Sequence, residues 1–276
     1  MASALVTERL RRSFRGFVAV DDVSLEVAAG ARHALIGPNG AGKTTLINLL
    51  TGVLRADAGE VMLGPRRITH LAPHARVKLG LSRTFQVNTL FPGLTALESV
   101  VLAVCERRGE CGDWLRPVSA RHAALDEAHG LLGSLGLDGD AARLTRELPY
   151  GKQRLLEIAL ALATKPTVLL LDEPAAGIPS GESRHLFDTI ERLPSDVTIV
   201  LIEHDMSLVF RFAQTITVLA GGRVVTQGPP AEIAADPRVR ELYLGARGAN
   251  AASPPQPIAG DSETFEGSET GDERDV

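Results

Sequence analysis

The segment Gly37-Pro38-Asn39-Gly40-Ala41-Gly42-Lys43-Thr44 fits the phosphate-loop spacing G-x-x-x-x-G-K-[ST] at each fixed position. Such a loop works only where a strand delivers it and a helix leaves it. Its glycines let successive amides turn inward, and the helix offers its positive N-terminal end to a phosphate. The flanks supply both elements. Ala31 to Ile36 is a short apolar segment with strand character, and Leu46, Ile47, Leu49 and Leu50 fall at helical spacing before Gly52. The expected ligand is a nucleoside triphosphate with Mg2+: Lys43 on the β- and γ-phosphates, the Thr44 hydroxyl on the metal, and Thr45 beside it. A glycine-rich turn with an exposed lysine is the plain alternative, and the strand-loop-helix context weighs against it.

Two continuous apolar runs, Val168–Leu171 and Ile199–Ile202, read as strands buried on both faces of a parallel sheet. The first ends in Asp172-Glu173, at the carboxyl edge where open α/β sheets bind ligands. Asp172 is placed to contact magnesium, and Glu173 to orient or deprotonate an attacking water. The second run ends in Glu203-His204, which brings an imidazole to the same edge. Taken alone, such acids are more often a solvated strand end, and a lone histidine is usually a satisfied surface or core group; the upstream loop reverses the odds for the acids.

Elsewhere, Val23-Ser24-Leu25-Glu26-Val27 alternates as a half-buried strand of an antiparallel layer. Thr215–Leu219 and Arg223–Thr226 flank Gly221-Gly222 as a hairpin. From about Thr95 to Ala163 the chain is rich in Ala, Leu, Glu and Arg without strand alternation, and a helical subdomain is expected there. From Ala246 to Val276, two basic residues face seven acidic ones, so this tail carries the whole net charge of −5 and is too polar to bury a core. The neutral body argues against a nucleic-acid partner. No apolar run approaches a membrane span, so a cytoplasmic chain is expected, reaching a membrane only through partners. Cys105 and Cys111 are expected as free thiols.

These motifs, in this order, resemble the ABC ATPase family over Leu5 to Gly245. The resemblance implies an α/β fold: a P-loop, RecA-like core with a mostly parallel sheet, an N-terminal antiparallel β layer, and an α-helical subdomain inserted at about 95–163. One domain would span 1–245, followed by the acidic tail 246–276. It assigns Phe14, just before Gly16, to stack on adenine; Gln86 to the glutamine loop, with catalytic and metal contacts; and His204 to the histidine switch. The family signature falls on Leu148-Pro149-Tyr150-Gly151-Lys152. A buried ring is the alternative for Phe14, and a helix cap for Gln86. Arg83-Thr84-Phe85-Gln86, Leu155-Leu156-Glu157-Ile158-Ala159, Asp172-Glu173-Pro174-Ala175-Ala176-Gly177, Glu203-His204-Asp205-Met206 and Tyr243-Leu244-Gly245 are similar to the branched-chain amino acid importer subgroup.

By that resemblance, Pro149, Tyr150 and Gly151 bind nucleotide held by a second ATPase subunit, identical or related. The dimer would serve integral membrane permeases on the inner face of the cell membrane and, indirectly, a solute-binding protein. A urea or other amide importer is the neighbouring alternative. Pro149 departs from the signature's serine, having neither hydroxyl nor amide hydrogen, which weakens a phosphate contact by roughly 1.5–3 kcal/mol. A slower hydrolytic site and a non-hydrolysing ATP-dependent clamp both remain open.

Overall fold

Residues 2–84, 90–110 and 121–248 are described by the computed structural model; Gln86, Cys111 and the tail beyond Gly248 lie outside them. Two long strands, β1 (Ser3–Phe14) and β2 (Phe17–Ala28), pair antiparallel and turn at Arg15 and Gly16, both at positive φ. With β4 (Ala58–Leu63) and β5 (Arg66–Arg67) they form a four-stranded sheet in the order β2-β1-β4-β5. Val23, Leu25 and Val27 face its core, as their alternation requires. The strand extends upstream to Phe17, and β1 itself, studded with Arg9, Arg11 and Arg12, had no readable pattern.

The second sheet runs β10-β9-β3-β8-β7-β6. Its strands are β3 (Arg32–Ile36), β6 (Leu81–Arg83), β7 (Val168–Asp172), β8 (Thr198–Ile202), β9 (Thr215–Ala220) and β10 (Arg223–Gly228). All pairings are parallel except the β9–β10 hairpin, where Gly221 and Gly222 both take positive φ. Every residue of β7 and β8 is buried. Alternate residues serve two cores: Leu35, Leu170 and Val200 face the antiparallel layer, while Ala34, Leu169 and Leu201 face the helices. Coverage on both faces explains why these strands read as unbroken apolar runs.

Helix α1 (Lys43–Thr51) leaves the loop after β3 and stops at Gly52 in the left-handed region. After α2 (Pro73–Lys78), the described residues of the stretch expected to be helical form α3 (Ala96–Arg107), α4 (His122–Ser134) and α5 (Tyr150–Ala163). A Thr95–Glu98 capping box starts α3, which carries the buried free thiol Cys105. The apolar face of α5 also buries an ion pair, Arg154 to Glu157 at 3.0 Å. The chain continues through α6 (Ser180–Glu191), α7 (Met206–Phe212), α8 (Pro230–Ala235) and α9 (Pro237–Gly248). Helix α9 thus runs three residues past Gly245, where the domain was expected to end. Among the described residues no helix is long and apolar enough to cross a membrane.

Candidate functional site

The loop between β3 and α1 is held by close backbone packing. A Cβ on Gly42, at φ 100°, would lie 2.4 Å from the Ala19 carbonyl oxygen, and one on Gly37 would lie 2.1 Å from that of Leu219. Only glycine permits both approaches. No side chain caps the start of α1, and no acid stands in its first turn, so its amides and positive end are kept for an anion. Lys43 Nζ donates to the carbonyls of Gly37 (2.6 Å) and Pro38 (3.2 Å). Burial lowers its pKa, while the charges of Glu173 and Asp172 oppose that shift and favour the cation.

The cavity over the loop measures about 270 Å3 and is walled by Asn39 to Thr45, Ala19, Phe17 and Glu173. One of the two aromatics at the hairpin lines this cavity. Phe17, 66% exposed, lines the cavity, whereas Phe14 pairs with it across the hairpin and lies under the Arg12 guanidinium at 4.9 Å. The two rings are three residues apart on opposite arms of a tight turn, so sequence position could not separate them.

Glu173 takes φ 47°, a left-handed conformation that costs a non-glycine residue roughly 1–3 kcal/mol. Its amide donates to the Ile202 carbonyl at 2.9 Å, which pins the turn and leaves the side chain at the cavity wall. Asp172, one residue earlier, is buried. Its Oδ2 accepts from Arg83 Nη2 at 2.6 Å. The donor set fits a hard divalent cation: the exposed Thr44 hydroxyl and the Asp172 carboxylate can hold Mg2+ together with phosphate oxygens. No three His, Cys, Asp or Glu side chains among the described residues form a cage of their own.

His204 does not join this cavity. It stands 70% exposed at the end of β8 and lines the neighbouring clefts beside Ala175 to Gly177 and Tyr243. Behind it, the buried Glu203 accepts from the amides of Ala175 and His204, both at 3.1 Å, and its pKa is raised by burial. Glu203 therefore ties the segment after Glu173 to the histidine, a structural part that the sequence motif did not reveal.

Residues 20–176 match the family model described as ABC transporter, and residues 223–249 match the one described as branched-chain amino acid ATP-binding cassette transporter. The chain is 39% identical over 248 residues to the high-affinity branched-chain amino acid transport ATP-binding protein LivG of Salmonella typhimurium, covering 87% of this chain and 97% of LivG. The chain belongs to the ABC transporter ATPase family. BraF of Pseudomonas aeruginosa, a protein of the same description, is 38% identical, over 86% of this chain and 95% of BraF. A nucleotide-free ATP-binding cassette from an ABC transporter superposes with a TM-score of 0.77 at 30% identity, covering 87% of this chain and 98% of that one. The ADP conformation of an ATP-binding cassette of an ABC transporter gives the same TM-score and identity, over 89% of this chain and 100% of that one. The α/β fold is that of these cassettes, and members of the family hydrolyse ATP to power transport.

In this ABC ATPase the signature residues lie apart from the P-loop cavity. Pro149 is the N-cap of α5, at φ −54° and ψ 149°, rather than its first helical residue, and no side chain caps the helix. The Tyr150 ring lies between Gly177, whose Cβ would sit 3.4 Å away, and the Arg154 guanidinium 5.1 Å from the ring centroid. Gly151 is pressed by Glu182, whose Oε2 would be 2.8 Å from a Cβ there. Gln86 lies outside the described residues.

Proposed function

We propose that this chain is the ATP-hydrolysing subunit of an importer for branched-chain amino acids or a similar small polar solute, acting on the inner face of the membrane as half of an ATPase dimer. The observation that carries the chemistry is Glu173, held in a strained conformation at the wall of the P-loop cavity. The P-loop amides and Lys43 hold the triphosphate, while Thr44, Asp172 and Gln86 would hold magnesium, which when bound would offset the negative charge of the triphosphate. Glu173 orients the attacking water and accepts its proton, and His204 reaches the γ-phosphate as the dimer closes. Phe14 and Phe17 offer two rings to the base.

The uncapped start of α5, from Pro149 to Gly151, supplies amides to the nucleotide of the opposite subunit. Its distance from the chain's own cavity supports a site completed by a second subunit. A groove of about 410 Å3 supports docking of the permeases. It runs between β6, α3 and α5 and is rimmed by Val53, Phe91 and Leu102, which are 56%, 66% and 43% exposed. The solute rests on the relatives: LivG and BraF are both branched-chain amino acid transport ATP-binding proteins.

The test is Glu173→Gln, which keeps shape and removes the base. Turnover should fall at least about 100-fold, with an ATP-bound dimer accumulating on size exclusion. An unchanged rate of phosphate release would remove Glu173 from the mechanism.

A further inference from the structure

One guanidinium joins the elements from which the expected metal ligands project. Arg83 ends β6, the edge strand of the parallel sheet, where it pairs with Leu170 of β7. Its Nη2 donates to Asp172 Oδ2 at 2.6 Å, and its Nη1 to Asn48 Oδ1 at 2.7 Å. Asn48 lies on α1 four residues after Thr44, and so one turn further along the same face. The pair is dry: the side chains of Arg83 and Asp172 are 11% and 5% exposed. A planar fork holds two acceptors on separate elements at fixed separation, which a lysine ammonium cannot do.

We infer that Arg83 is a positioning residue for the magnesium site, fixing Asp172 on β7 relative to Thr44 on α1. Ligating carboxylates depend on the groups that hydrogen-bond their other oxygen, and loss of such a partner typically weakens metal binding 10–100-fold. A ligand bound to the triphosphate alone does not depend on this alignment. The inference rests on the reading that Asp172 and Thr44 hold the metal, and the experiment separates the two.

The purified full chain is titrated with Mn2+ in the presence of ATP, with free metal followed by electron paramagnetic resonance. ATP affinity without metal is measured in EDTA by calorimetry. Arg83→Met should weaken Mn2+ binding about 10–100-fold and leave metal-free ATP affinity within about 2-fold, because the P-loop and Lys43 are untouched. Arg83→Lys should fall between the two. Asn48→Ala cuts the link to α1 alone and should weaken Mn2+ in the same direction by less; it also decides the matter should Arg83→Met fail to fold. Mn2+ affinity that is unchanged or tighter in Arg83→Met, or unchanged in Asn48→Ala, overturns the inference. Asp172→Asn is the control. If it weakens or abolishes Mn2+ binding while the Arg83 and Asn48 variants bind Mn2+ as tightly as the parent, only the role of Arg83 fails; if it leaves Mn2+ binding intact, the assignment of Asp172 as a metal ligand fails instead.

Discussion

His33 makes the stability of this ATPase depend on pH in a direction and size that follow from its surroundings. It sits in β3 between β8 and β9, 1% exposed, with Nε2 2.9 Å from the buried Thr217 hydroxyl. Burial lowers its pKa from 6.5 to about 4. The unfolded chain therefore takes up the proton first. The stability conferred by the neutral imidazole is complete above about pH 6.5, falls as the pH drops, and is gone below about pH 4. At about 1.4 kcal/mol per unit, the span is about 3.4 kcal/mol, of which about 2 kcal/mol is lost between pH 7 and pH 5. Other buried groups act oppositely: burial raises the carboxyls of Glu157 and Glu203, so acid relieves them. A whole-protein pH profile mixes these contributions, and a difference isolates one. Glutamine at position 33 keeps a polar partner for Thr217 without titrating. Denaturant unfolding at pH 7 and pH 5 should show the parent losing about 2 kcal/mol more than His33→Gln over that interval. Parallel losses in the two proteins would refute the reasoning.

Arg76 is 2% exposed and donates to the carbonyls of Leu49, Leu50, Thr69 and Leu71 at 2.6 to 3.0 Å, closing the end of α1. Arg76→Met strands these acceptors at about 1–3 kcal/mol each before relaxation, and a net destabilisation of about 3–5 kcal/mol is expected in denaturant midpoints. Pro149→Ser restores a hydroxyl and an amide hydrogen at the start of α5. It should raise phosphate release about 10-fold if Pro149 only slows the site, whereas rates still at background would favour the non-hydrolysing clamp.

What was legible in the sequence was local. Gly37 to Thr44 names its own geometry, the unbroken apolar runs of β7 and β8 announce burial on both faces, and Gly221-Gly222 selects the turn that closes β9 on β10. What was illegible depends on partners far along the chain. Strand β6 is three residues long and is recognisable only because β7 pairs with it. Strand β1 buries Leu5 and Leu10, but register shifts and Arg9 at φ 45° break its period. Arg154 and Glu157 are charged residue types that give no sign of burial in the sequence, and their pairing is buried in α5. Phe17 carries no motif that marks it over Phe14. The ion pair between Arg83 and Asp172 joins residues 89 apart, and each belongs to a motif with a separate meaning.

Arg83 also bears on how the two faces of the molecule communicate. It lines the groove between β6, α3 and α5, and its guanidinium grips Asp172 and Asn48 beneath the P-loop helix. Among the described residues β6 is an edge strand, hydrogen-bonded to β7 through Leu81 to Arg83. Besides the apolar packing of Leu81 against α1, the Arg83 guanidinium supplies a polar tie to that helix through Asn48. A body pressing into the groove must either break hydrogen bonds of 2.6 and 2.7 Å inside a dry site or carry Asp172 and Asn48 with it. Breaking them leaves a buried charge without its partner at a cost of about 3–5 kcal/mol, which makes the concerted shift the cheaper response. The groove wall and the Asp172 carboxylate thus share one guanidinium, with no long relay of side chains between them.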